Sequence, residues 1–183
     1  GLIGRVKGSA NIQNSYHIGD IKSGGHYVGG LIGRADSVSL NSSYARGSIT
    51  VNDDKHNSVT KFVGGLISHV KSDSTIIDSH SAINIDANST YTGGLVGFFG
   101  GINSVINNSY NIGNLKAKTA YIGGIVGQFN GRVIANSFSK GLLEIDAPTP
   151  LAYVGGICGY CDNSAADYIK LYNKGNINFQ NGT

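Results

Sequence analysis

Methionine and tryptophan are absent from these 183 residues, proline and cysteine occur twice each, and only 14% of positions are charged. Each scarcity excludes a class of protein. The 14 Lys and Arg are scattered singly and leave a formal charge of only +3, so the basic stripe of a nucleic-acid binder is missing. No apolar run approaches the ~18 residues of a membrane span, which argues against membrane insertion. No signal peptide or lipidation motif is visible. Two cysteines cannot by themselves complete a zinc site. The glycine strings GFFGG (97–101) and GQFNG (127–131) have neither a following GK[ST] nor a strand-to-helix fingerprint, so they read as turns and no cofactor is expected.

What the chain has in excess is glycine, 28 residues without a G-X-Y period, which rules out collagen. Its β-branched and aromatic content is too high for disorder. Short strands joined by tight turns remain.

The internal period confirms that expectation at the level of sequence. GLIG at the start recurs as GGLIG (29–33), GGLIS (64–68), GGLVG (93–97), GGIVG (123–127) and GGICG (155–159). Counted from the second glycine, coils start at 1, 30, 65, 94, 124 and 156. An aromatic landmark follows in each coil: Tyr16, Tyr44, His80, Tyr110, Phe138 and Tyr172. Apolar columns precede it by four residues (Ile12, Leu40, Ile76, Ile106, Ile134, Tyr168) and follow it by five (Ile21, Ile49, Ile85, Leu115, Leu143, Ile177). No apolar 3.6-residue period persists anywhere, which argues against helices.

A unit of about 30 residues with three strands cannot bury its apolar face alone, whereas stacked copies at ~4.8 Å per coil can. The sequence therefore predicts an all-β fold over residues 1–183: a single parallel β-helix of six coils, three short strands per coil. A right-handed coil is expected from the usual chirality of parallel connections. The residue two before each aromatic landmark (Asn14, Asp78, Asn108, Asn136) suits a turn ladder, broken by Ser42 and Lys170. Coil 2 carries about seven extra residues near Asp53–Lys61, and coil 5 about four near Ala147–Ala152. Both insertions leave one corner, which reads either as a binding face or as solvated loop.

The pattern GG[LI][IV]G, [ND]SY and G-x-[IL] resembles the GLUG-motif repeat. That repeat occurs in secreted bacterial adhesins, in haemagglutinin-like proteins and in the non-catalytic part of immunoglobulin A peptidases. The resemblance implies an extracellular or cell-surface location and a structural, adhesive role. It also implies partners among neighbouring repeats or domains of a longer parent chain, host glycans or matrix proteins, or further copies of the chain. The peptidase members are zinc enzymes, but no HExxH stretch occurs here, so that activity does not carry over. Coil 6 departs most, losing the Asn-Ser pair and gaining both cysteines.

Four sets of residues remain as candidates for chemistry. Cys158 and Cys161 form CGYC; Cys158 falls in the column of Val96 and Val126, which suits core packing, with a local disulfide as the alternative. Carboxylates at Asp20, Asp53, Asp54, Asp78, Asp86, Glu144 and Asp146 do not force a pair into one register at neighbouring coils, so the chain reads as a non-enzyme. A carbohydrate-binding or carbohydrate-degrading β-helix and a subunit of a homopolymeric fibre stand as alternatives. Sequons occur at Asn41, Asn88, Asn107 and Asn181. The fourth set is a column two residues before each GG: Tyr27, Phe62, Tyr91, Tyr121 and Tyr153. It alternates with Val28, Val63, Thr92, Ile122 and Val154, so one column faces in and the other out. Facing in, the rings are core; facing out, they offer a stripe for sugars or a partner.

Overall fold

A computed structural model describes residues 1–52, 60–118, 120–146 and 152–180. All regular elements among them are β-strands, and the pairings that join successive coils are parallel. The strands stack as a β-solenoid of about five turns. Tyr27, Phe62, Tyr91, Tyr121 and Tyr153 each begin the strand that closes a coil. The sixth coil has no such strand among the described residues, so six coil starts give about five turns.

Three sheets run along the stack. One begins after each GG, with Ile32–Asn41, Ile67–Val70, Val96–Phe99, Val126–Phe129 and Cys158–Cys161 in succession, and continues round through Thr75–Ile77, Val105–Asn107 and Val133–Ala135. A second holds the aromatic landmarks, and the third consists of the short strands Tyr27–Gly29 to Tyr153–Gly155. Among the described residues the first two coils hold three strands each, the third four, and the fourth and fifth five. The difference has a local cause. The strand Ile32–Asn41 runs through without a break, whereas in the fourth coil Gly101, at a φ of +86°, turns the chain between Phe99 and Val105.

The columns read from the sequence are the columns of the structure. Ile32, Ile67, Val96, Val126 and Cys158 pair in one register, and Leu40, Ile76, Ile106, Ile134 and Tyr168 in another. In the four central coils the inward members of these columns are fully buried, as β-branched and aliphatic side chains on pleated faces should be. In the sixth coil Ile177 and Phe179, which pair with the buried Leu143 and Ile145, are 38% and 62% exposed.

The GG pair has two separate steric reasons. A Cβ on the first glycine would sit 1.8 Å from the Val96 carbonyl oxygen at Gly93 and 1.9 Å from that of Val126 at Gly123. The backbone doubles back there, and only hydrogen fits. A Cβ on the second glycine would meet the next coil's glycine carbonyl at 2.1 Å at Gly94, and the Asn111 side chain at 2.5 Å. Asn111 follows the aromatic landmark Tyr110, so the two landmarks meet across the core, and one needs a glycine because of the other.

The turn before each aromatic landmark is equally uniform. Asn14, Ser42, Asp78, Asn108, Asn136 and Lys170 all take left-handed backbone, with φ between 47° and 51°. Ser42 and Lys170, which break the column chemically, keep its geometry. At four of these corners the next residue is a buried serine, Ser43, Ser79, Ser109 or Ser137, whose hydroxyl does two things. In Ser79 it donates to the Ile77 carbonyl at 2.8 Å and accepts the Ser43 N–H of the coil below at 3.2 Å. Ser43, Ser109 and Ser137 repeat this, so the ladder satisfies at each corner a backbone donor that burial would otherwise leave unpaired.

Candidate functional surface

The column of Tyr27, Phe62, Tyr91, Tyr121 and Tyr153 faces outward. Its neighbours Val63, Thr92 and Ile122 are the buried ones, as strand alternation requires. The rings, however, lie flat on one another along the stack. Centroid separations run 5.3, 4.8, 4.8 and 5.5 Å, with planes within 8° of parallel. Apart from the outer faces of the end rings Tyr27 and Tyr153, ring faces are therefore occupied by neighbouring rings, and only edges and hydroxyls reach solvent. Burial raises the Tyr91 hydroxyl above its ordinary value, with Tyr121 beside it adding to the effect.

A second column closes over the first. Arg34, His69, Phe98, Gln128 and Tyr160 share one register on the strand after each GG. His69 and Phe98 meet the Phe62 ring edge-on at 4.7 and 6.0 Å, and Arg34 Cζ sits 5.3 Å from the Tyr27 ring centre. His69 stacks on Phe98 at 5.0 Å. Burial, then the charge of Arg34, lowers its pKa to about 4, so the ring is neutral at pH 7. The GG corner is thus a clasp of rings from both sides.

The aromatic landmark forms another outward stack, which the sequence marked as a repeat signal without pointing to a surface. Tyr16, Tyr44, His80, Tyr110, Phe138 and Tyr172 lie 4.8 to 5.2 Å apart with planes within 7°.

The structure joins Cys158 to Cys161 in a disulfide, and Cys158 continues the Val126 column. Of the sequons, Asn41 and Asn107 lie at strand ends beside the serine ladder, with Ser43 and Ser109 buried beneath them. Asn88 lies just after His80–Ala87, and Asn181 falls outside the described residues. The two insertions fall largely outside them as well, with Asp53, Asp54 and His56. His69 and His80 sit in separate ring columns, and among the described residues no three His, Cys, Asp or Glu converge as for a metal ion.

The carboxylates are ordered in a way that spacing alone left open. Lys22, Thr50, Asp86, Lys116, Glu144 and Asn178 form one outward column, so Asp86 and Glu144 share a register two coils apart with Lys116 between them. Beside it runs a polar column through Asp20, Ser48 and Asn84, continued by Asn114. The two columns border a shallow groove of about 260 Å³, floored over Ile49, Ile85 and Leu115. Sequence reasoning missed this groove. Its signal was present in the polar residue that follows the repeat glycine, seen as Asp20, Ser48 and Asn114.

Comparison of the chain with family models, with curated proteins and with solved structures finds no significant match. The class is therefore set by architecture: a repetitive parallel β-solenoid.

Proposed function

We propose that this chain is a structural and adhesive repeat module of an extracellular surface protein, without catalytic activity, acting as a rigid spacer. One observation carries the reading: the six-ring stack from Tyr16 to Tyr172 passes through every coil without a gap. Rings held face to face in parallel strands resist bending and shear between coils, and so does a serine ladder that ties the corners of the first five coils together. Such a body transmits position from one end to the other, which is what a spacer needs.

The GLUG-like pattern supports the extracellular setting, and the disulfide is in keeping with an oxidising compartment. The test is a distance distribution between dyes placed in the first and fifth coils. A spacer gives one narrow distribution that survives moderate urea. A broad distribution in native buffer would defeat the reading.

A further inference from the structure

We propose that the groove beside Asn84 and Asn114 binds a neutral saccharide of one or two pyranose rings. The proposal goes beyond the spacer reading and does not rest on it, because a rigid rod keeps its shape whether or not a sugar occupies its side.

One wall of the groove is a pair of pinned amides. Asn84 Oδ1 accepts the Asn114 N–H at 3.0 Å, and Asn114 Oδ1 accepts the Leu142 N–H at 2.9 Å. A backbone N–H can only donate, so each amide oxygen is committed to the next coil and each Nδ2 is left as a donor. Among the described residues neither Nδ2 has an acceptor. The two donors repeat one coil apart, ~4.8 Å, a span comparable to that of a pyranose ring.

The other wall supplies acceptors of limited charge. Lys116 Nζ lies 3.7 Å from Glu144 Oε1, and Gln180 donates to the same oxygen, so Glu144 is engaged. Asp86, two residues beyond Asn84, has no hydrogen-bonding or ionic partner among the described residues. A hydroxyl group matches this arrangement because it can accept from Asn84 Nδ2 and donate to Asp86 at once. A simple anion would meet the Asp86 and Glu144 charges, and a simple cation would meet Lys116. Neither finds the mixed donors and acceptors that a polyol uses.

Size and lining agree with that chemistry. About 260 Å³ lies just below the ~300 Å³ at which sites for drug-sized ligands begin. Leu142, half-buried at the end of the Asn84–Asn114 wall, offers an aliphatic patch for the C–H face of a sugar, while Ile85 and Leu115 beneath the groove face the core. The outward tyrosine column is a poorer place for stacking, since its ring faces are already taken.

The test is a ¹⁵N chemical-shift titration of the 183-residue chain with lactose, cellobiose and maltose, up to tens of millimolar. The expected result is saturable shifts at the Asn84 and Asn114 side-chain amides and the backbone around Asp86 and Lys116. Asn84→Asp keeps the oxygen that holds the Asn114 N–H and exchanges the donor for an acceptor. Affinity should fall about tenfold, the equivalent of ~1.4 kcal/mol, with the melting curve unchanged. Asp86→Ala, at an exposed position, should show the same loss. The proposal is overturned by silence with all three sugars, by shifts centred on the end rings Tyr16 or Tyr172, or by undiminished binding in both variants. Saturable binding of sulfate at the same amides would also overturn it, because that identifies an anion site.

Discussion

The ring of Phe62 lies flat on that of Tyr91, centroids 4.8 Å apart and planes 4° from parallel, while the edges of His69 and Phe98 close on it from the side. This relationship changes what the outward column can do. A stripe of tyrosines read from sequence suggests open faces for a ligand; the stack leaves faces free only at its ends. Tyr91→Ala removes two stacked contacts, each about 0.5–1.5 kcal/mol beyond area burial, whereas Tyr153→Ala at the end of the column removes one. Urea denaturation should therefore show Tyr91→Ala destabilised by about 2 kcal/mol and Tyr153→Ala by roughly half as much. Equal midpoints for the two would mean that stacking between coils contributes nothing.

The glycine corner makes a sharper prediction. Gly94→Ala places a methyl group 2.1 Å from the Gly124 carbonyl and 2.5 Å from the Asn111 side chain, and neither can retreat without breaking coil pairing. The loss should exceed ~4 kcal/mol, the range of severe core lesions, and should appear as insoluble or molten protein. Gly4→Ala is the control: a Cβ there meets nothing within 4 Å, and the melting temperature should not move. A folded Gly94→Ala protein of wild-type stability would disprove the close approach.

Most of this fold was legible because a solenoid turns similarity along the chain into contact in space. The register of Ile76 on Ile106, or of Tyr110 on Phe138, follows once the period is known. What did not follow was direction and orientation. Alternation shows that Tyr91 and Thr92 face opposite ways, but not which is inside; the GG turn decides that, by folding Thr92 inward and leaving Tyr91 to meet Phe98. The groove was hidden for a related reason. Asn84 and Asn114 are ordinary polar residues in sequence and become paired donors only because each oxygen caps the next coil. The turn column shows the reverse limit. Ser42 and Lys170 look like exceptions, yet the backbone holds them at φ of 47° and 51°, a conformation in which Asn is far better tolerated.

That mismatch predicts a gain. Ser42→Asn should stabilise the chain by a few tenths of a kcal/mol up to ~1 kcal/mol, since Asn accepts left-handed backbone more readily than Ser. Thermal denaturation at neutral pH measures it. No gain would show that the Ser42 hydroxyl, which donates to Asn41 Oδ1 at 2.8 Å, already offsets the backbone cost.

The serine ladder should behave as a chain of dependent bonds. Ser79→Ala deletes the acceptor for the Ser43 N–H, a donor in the buried interior of the corner. Leaving such a group unpaired costs about 1–3 kcal/mol. The effect should be local as well as global: hydrogen exchange of the Ser43 amide should quicken more than that of Ser109, whose acceptor is Ser137 and remains in place. Uniform quickening at every corner would instead indicate loss of the whole fold.

His69 gives the chain an acid-sensitive side. Its ring stacks on Phe98 and makes T-shaped contacts with Tyr27 and Phe62, and burial, followed by Arg34, lowers its pKa from 6.5 to about 4, with a backbone hydrogen bond and then Asp36 pulling the other way. In this window the unfolded chain takes up a proton that the folded chain refuses, so stability rises with pH. The contribution is complete above pH 6.5, declines as pH falls and is gone below about 4, where both states are protonated. Because the ring is only partly buried, ~1.4 kcal/mol per pKa unit is an upper bound on the loss. His80, lowered by burial in the other stack, adds in the same direction. Asp36 and Asp73, both lowered by hydrogen bonds, act only below the ordinary carboxylate value of 3.8. His69→Phe keeps the stack and removes the titration, so urea midpoints at pH 7, 5 and 4 should fall less steeply in the variant than in the parent. Parallel profiles would place the acid sensitivity elsewhere and leave His69 a spectator.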